Sequence, residues 1–334
     1  MDRAELIRAG DQRALATLIR DLEEGRAGAA AELRALAAGG APPFVVGITG
    51  PAGAGKSTLV DGLVERLRAR GERVGIVAVD PSSATGPAGG AGRGAAGGAV
   101  LGDRVRMQRH ATDPGVFIRS LATRGARGGL SAGAADVIAA LGAAGYGTVL
   151  LETVGVGQSE TDVADAADVV ALVLVPGLGD DVQALKAGLL EIADVLVVNK
   201  ADRADADRTA GDLAGMLDIR RAAGAGPPDQ SGGRDGRGDR ADVPILLTVA
   251  TTGAGLDELL RVIDLSRGPI APARRRARAM ARIQQAALAR VAEEVAAALA
   301  PGGLGGSLVD DVVEGRTDSA AAADALMSRL RKGY

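Results

Sequence analysis

An α/β protein, with a mostly parallel sheet covered by helices on both faces, is predicted by two features of this 334-residue chain. The first is an alternation of short apolar runs with amphipathic stretches. The runs are FVVGIT (44–49), RVGIVAV (73–79), TVLLET (148–153), VVALVLV (169–175), VLVVN (195–199) and PILLTV (244–249). Strands that lack polar alternation are buried on both faces, and strands separated by helices pair in parallel. The second feature is the glycine-rich turn that follows the first run and precedes the helical pattern STLVDGLVERLRAR.

Composition narrows the class. Aromatics make up 1% and Trp is absent, so the core must be built from Val, Leu, Ile and Ala. A net charge of −3 shows no general basic footprint for nucleic acid. The absence of cysteine removes disulfides, thiolate ligands and thiol nucleophiles, and the single histidine, His110, leaves no His-rich metal tract. The N-terminal pattern is charged and helical, unlike a signal peptide, and no apolar run reaches the ~18 residues of a membrane span. A soluble cytoplasmic protein is expected. Lysine occurs only at Lys56, Lys186, Lys200 and Lys332, in a chain that otherwise uses arginine. Asn199, beside Lys200, is the only asparagine. Residues retained against such a bias mark where a compact ammonium or an amide is needed.

Residues 1–40 read as a helical cap, with apolar spacing interrupted at Gly10, Gly25 and Gly28. Residues 41–268 carry the α/β pattern, and 269–334 read as a helical arm. In the arm, 272–299 form one long Ala-rich helix, and 303–334 add a shorter pair with Thr317 or Ser319 as N-cap. The ArgArgArg run at 274–276 is either a solvated helix face or a partner surface. Segments 84–99 and 223–239 hold too little apolar side chain to offset their ordering entropy.

The turn Gly50-Pro51-Ala52-Gly53-Ala54-Gly55-Lys56-Ser57-Thr58 fits the phosphate-loop pattern in full, in strand-to-helix context. Its glycines let backbone N–H groups face a β-phosphate, Lys56 reaches the β/γ oxygens, and Ser57 can ligate Mg²⁺. The fold is therefore that of a P-loop NTPase. Asn199-Lys200-Ala201-Asp202 ends a strand in the pattern NKxD, which sets the Asp202 carboxylate against the N1 and N2 donors of guanine. The Lys200 stem covers the ring face, and Asn199 ties this loop to the phosphate loop. Residues 248–255 (TVATTGAG) resemble the supporting loop in which the N–H of Ala250 meets guanine O6, although Val249 replaces the usual Ser. The expected ligands are GTP and GDP with Mg²⁺. Asp80 and Glu152 follow the second and third apolar runs and can hold Mg²⁺ directly or through water, or else serve only as caps. Asp103 is a third candidate. Val156 follows the sensor glycine, Gly155, where many GTPases place a water-orienting glutamine. Gln158 lies two residues further on, so intrinsic hydrolysis should be slow.

With these residues in place, the chain resembles the MeaB/ArgK family of P-loop GTPases, which includes the MMAA protein. The matching stretches are GITGPAGAGKST, VAVDPSS, LGDRVRM, FIRSLATRG, ETVGVGQSE, PGLGDDVQALKAG and VNKAD. The resemblance implies a GTP-hydrolysing chaperone that loads and protects an adenosylcobalamin-dependent acyl-CoA mutase and forms homodimers through C-terminal helices. It assigns catalytic roles to Lys56, Asp80, Glu152 and Lys186, and magnesium or switch roles to Ser57, Asp80, Asp103 and Glu152. Asp180, Gln183 and Lys186 fall in the segment that couples GTPase to mutase. There are two departures: the Gly/Ala-rich lengthening between DPSS and LGD, and Ala126 where the family would place His. No Asp-x-His cobalamin motif occurs, so cobalamin is read as the partner's cofactor. A nucleotide-dependent scaffold with vestigial hydrolysis, or a metallocentre-assembly GTPase, remains the alternative.

Overall fold

The computed structural model describes residues 2–38, 40–80, 108–122, 132–153, 163, 166–177, 187–224, 243–267, 272–300 and 302–332. Two compact units divide the chain, Met1–Arg278 and Ala279–Tyr334.

The first unit opens with three helices, α1 (Arg3–Arg8), α2 (Gln12–Glu23) and α3 (Ala29–Ala37). They break at Gly10, Gly25 and Gly28, each with a positive φ. Asp2 caps α1 and Asp11 caps α2 through their carboxylates, satisfying N–H groups that the first turn leaves open. Then follow β1 (Phe44–Thr49), α4 (Lys56–Ala69), β2 (Val74–Asp80), a 3₁₀ turn (Gln108–His110) and β3 (Val116–Ala122). Next come α5 (Ala132–Ala143), β4 (Thr148–Thr153), β5 (Val169–Leu174), α6 (Ala187–Ile192) and β6 (Val195–Asn199). The unit continues with α7 (Ala206–Gly224), β7 (Ile245–Thr248) and α8 (Leu256–Leu265).

The described strands form one sheet in the order β3-β2-β4-β1-β5-β6-β7, and every pairing is parallel. Alternate residues feed two cores. Val45, Val77, Val79, Val149 and Leu151 pack under the N-terminal helices and α5, with Leu15, Leu18, Ile19 and Tyr146. Val46, Ile48, Val74, Ile76 and Leu150 pack under α4 and α8, with Leu59, Leu63, Leu256 and Leu260. A period of two delivers apolar side chains to both faces, which is why these strands show no polar alternation.

One strand departs from the sequence reading. The apolar runs give six strands, and the structure adds β3 at the sheet edge. Its apolar run is interrupted by Arg119 and Ser120, and Arg119 is accommodated by a bidentate ion pair with Glu23 of α2. An edge strand tolerates such polarity because only one side of it is paired.

The second unit holds most of α9 (Pro272–Leu299), followed by α10 (Gly306–Val313) and α11 (Ser319–Lys332). Its core is small: Ala298, Leu308 and Leu326. Asp318, rather than Thr317 or Ser319, caps α11, accepting from the N–H groups of Ala320 and Ala321 at 2.9 and 2.8 Å. Asp is among the strongest N-cap residues, and it stands immediately before the first helical residue. Segment 84–99 lies outside the described residues, as does 225–239 of the second Gly-rich segment; its first two residues close α7. The side chains of 274–276 are likewise outside the described set. Among the described residues, no helix is long and apolar enough to cross a membrane.

Candidate active site

The nucleotide loops gather at the carboxyl ends of β1, β4, β6 and β7, the edge at which open α/β sheets bind ligands. β1 runs into the phosphate loop and α4 begins at Lys56. Gly50 has φ +139°, and a Cβ there would lie 2.0 Å from the Val173 carbonyl oxygen. Gly55 has φ +87°, and a Cβ there would lie 2.4 Å from Asn199 Nδ2. Only glycine lets the loop turn this tightly while touching its neighbours.

Lys56 is 6% exposed. Its ammonium donates to the carbonyls of Gly50 and Pro51 at 2.8 and 2.9 Å, so it is aimed into the concave side of the loop. The parallel register sets Glu152 of β4 level with Ile48 of β1. Glu152 is 5% exposed, and its Oε1 accepts the Ser57 hydroxyl at 2.7 Å. A buried carboxylate survives there because it is bonded. One residue further along both strands, the Thr153 hydroxyl donates to Thr49 Oγ1 at 3.1 Å. Asp80 ends β2 two residues beyond Ala78, the partner of Glu152 in the register; its side chain lies outside the described residues, as do Asp103, Gly155, Val156, Gln158, Asp180, Gln183 and Lys186.

The base end is organised by Asn199, 2% exposed at the end of β6. Its Nδ2 donates to the Ala54 carbonyl at 2.8 Å, and its Oδ1 accepts from Thr248 Oγ1 at 3.2 Å and from the Ala250 N–H at 3.0 Å. One buried amide thus joins the phosphate loop, the end of β7 and the loop after it. The Ala250 N–H, expected from sequence to face guanine O6, is directed at Asn199 in this arrangement. Lys200 is the one described non-glycine residue at positive φ, +58°, a strain of ~1–2 kcal/mol for an L-residue. Its ammonium donates to the Gly53 carbonyl at 2.8 Å, so its stem spans from the base loop to the phosphate loop.

A cleft of about 210 Å³ lies between these loops, lined by Gly55, Thr58, Asn199, Lys200, Asp202 and Ala250. Arg203, Val249 and Thr251 complete the lining. Sequence reasoning missed Arg203 and Thr251 as site residues. Their only signal was adjacency to Asp202 and Ala250, the flanking positions of the two motifs.

A phosphate loop with its buried lysine, a helix serine bonded to a carboxylate of the adjacent strand, and an NKxD loop bonded to both neighbours define a P-loop GTPase. The model of the MeaB family, described as the methylmalonyl-CoA mutase-associated GTPase, matches residues 13–300, and the chain belongs to that family. A protein of Pyrococcus horikoshii named as a GTPase is 48% identical over 255 residues, covering 76% of this chain and 74% of its own. A Caulobacter vibrioides protein also named as a GTPase is 38% identical over 331 residues, covering 96% and 94%. A mitochondrial methylmalonic aciduria type A homologue of Caenorhabditis elegans is 42% identical over 160 residues, covering 48% of this chain and 38% of that one. The crystal structure of a LAO/AO transport system kinase shares the fold, with a TM-score of 0.64 at 22% identity, covering 98% and 96%. The chain is a guanine-nucleotide-binding hydrolase acting on GTP.

Proposed function

We propose that this GTPase is a chaperone that assists cofactor loading and protection of an adenosylcobalamin-dependent acyl-CoA mutase. The family match carries this reading: over residues 13–300 it takes in both nucleotide loops and the segment containing Asp180, Gln183 and Lys186. In this reading, Asp202 accepts from guanine N1–H and N2–H₂, and the N–H groups from Gly50 to Thr58 surround the β-phosphate. Lys56 exchanges its loop carbonyls for phosphate oxygens and stabilises the charge that develops as water attacks the γ-phosphorus and GDP leaves.

The Ser57 and Glu152 oxygens, 2.7 Å apart, suit adjacent positions on an octahedral Mg²⁺, where ligands lie about 3 Å apart. Asp80 and Asp103 complete the candidate set. Mg²⁺ held there would neutralise phosphate charge. With valine at 156 in the water-orienting position, basal turnover is slow, and Lys186 supplies charge once the mutase orders its segment. Such aids contribute about 10³–10⁵ in rate. The adenosylcobalamin stays with the mutase, and the work is cytoplasmic. Homodimerisation through the C-terminal arm is supported by exposed apolar residues along α9: Met280, Ile283, Leu288 and Val291.

The test is GTP turnover by wild type and Lys186→Ala, alone and with saturating purified methylmalonyl-CoA mutase. Wild type should be stimulated, while Lys186→Ala keeps its basal rate and loses stimulation. Equal stimulation of both proteins removes the role of Lys186. If neither is stimulated and no complex forms, the chaperone reading fails for that mutase.

A further inference from the structure

We propose that Asp61, Glu65 and His110 form a binding site for one divalent transition-metal ion of the Zn²⁺ type, separate from the nucleotide magnesium. Asp61 and Glu65 are four residues apart on α4, so their carboxylates share one face. Two like charges in that relation are unfavourable without a cation. The 3₁₀ turn Gln108–His110 lies across that face, and one ligand atom from each of the three residues falls within 4.8 Å of the others.

The arrangement differs from an ordinary ion pair. His110 is 8% exposed and the Asp61 side chain 14%. His110 Nε2 lies 2.9 Å from Asp61 Oδ1, yet the two lack the alignment of a hydrogen bond, and neither buried atom has a hydrogen-bond partner among the described residues. A buried polar atom left without a partner loses its hydration and gains nothing in return. Two ligand atoms 2.9 Å apart with no hydrogen bond between them need to part by only about half an ångström to become neighbours on one tetrahedral ion, where bonds of 2.0–2.2 Å set ligands about 3.3–3.6 Å apart. Among the described residues, Arg109 sits 3.7 Å from both carboxylates and is 75% exposed. It offsets charge without satisfying either buried atom, and an incoming ion can displace it into solvent.

The turn is held in place independently of any ion. Arg68 of α4 donates twice to Asp113, at 2.8 and 2.9 Å, and Asp113 also accepts the Gly115 N–H at 2.7 Å. This clamp presets His110 against α4. One nitrogen and two carboxylates favour zinc over magnesium, which binds oxygen and dehydrates reluctantly. Asp61 also lies four residues after Ser57, about 6 Å along the same helix, so the ion would tie the 108–113 turn to the helix that follows the phosphate loop.

The experiment uses the full chain without a polyhistidine tag, saturated with GDP and excess Mg²⁺. Zn²⁺ is titrated against a chromophoric chelator, and the zinc-loaded protein is measured by X-ray absorption. One Zn²⁺ per chain is expected, bound more tightly than Mn²⁺, with a single imidazole in its shell. Because His110 is the only histidine and cysteine is absent, that imidazole has one source. His110→Gln and Asp61→Asn should each weaken Zn²⁺ by at least about tenfold while GDP affinity is unchanged. The proposal is overturned if no ion binds, if zinc shows only oxygen neighbours, or if His110→Gln binds as tightly as wild type. Should a variant fail to fold, the wild-type absorption spectrum alone decides.

Discussion

The base end and the phosphate end of the cleft are built by different means. At the base end, the amide of Asn199 reaches across 145 residues to Ala54 and across 49 to Thr248, so three remote segments share one buried group. At the phosphate end, Lys56 donates to carbonyls only five and six residues away in its own loop. Remote bonds through a buried hub fix geometry before ligand arrives. Local bonds to loop carbonyls can be exchanged for phosphate oxygens at small structural cost. Under the proposed function, base recognition falls to the end fixed by Asn199, and the Lys56 charge to the end whose lysine bonds can be exchanged.

Three substitutions sharpen or break that contrast. Lys56→Ala should have the largest effect on ligand, weakening GTP by about 100-fold through loss of a charged hydrogen-bond donor. Its thermal midpoint should move little, because the bonds it gives up are local. Isothermal titration and thermal melting of the same preparation check both halves. A large fall in the midpoint would show that the phosphate end is also a structural hub.

Asp202→Asn should weaken GTP by about 10- to 100-fold, the value of a charged hydrogen bond, and restore affinity for xanthosine triphosphate, whose N1 and C2 edge suits an amide. Competition binding with both nucleotides reads this directly. If wild type held ATP and GTP equally well, the base-end assignment would be wrong.

Asn199→Ala should cost least in affinity, about tenfold, but most in stability. The Ala54 carbonyl and Ala250 N–H would lose their partner, at ~1–3 kcal/mol each, or several degrees in the midpoint. Thermal melting without nucleotide is the decisive measurement. A midpoint higher than that of Lys56→Ala would reverse the comparison.

The site was legible in sequence wherever its geometry is local. A glycine-rich turn between a strand and a helix sets its own backbone, so Gly50 to Thr58 could be read directly, and NKxD ends its strand in the same way. The strands on both sides of β1 were visible because double burial leaves an unbroken apolar run. β3 was hidden because its Arg119 is answered by Glu23, a residue 96 positions earlier, and no local pattern records such a pairing. The cap of α11 was misplaced by one residue because Thr317, Asp318 and Ser319 are all competent cap types.

By itself, then, the sequence determined six of the seven described strands, the nucleotide loops and the identity of the base, since these depend on backbone preference and side-chain chemistry within a few residues. Tertiary structure alone decided that Glu152 meets Ser57 through parallel register, that Asn199 joins three loops, and that His110 lies against Asp61 and Glu65. Those contacts connect residues between 45 and 145 positions apart. Their partners are chosen by how strands align and helices pack, and that information is spread over the whole core.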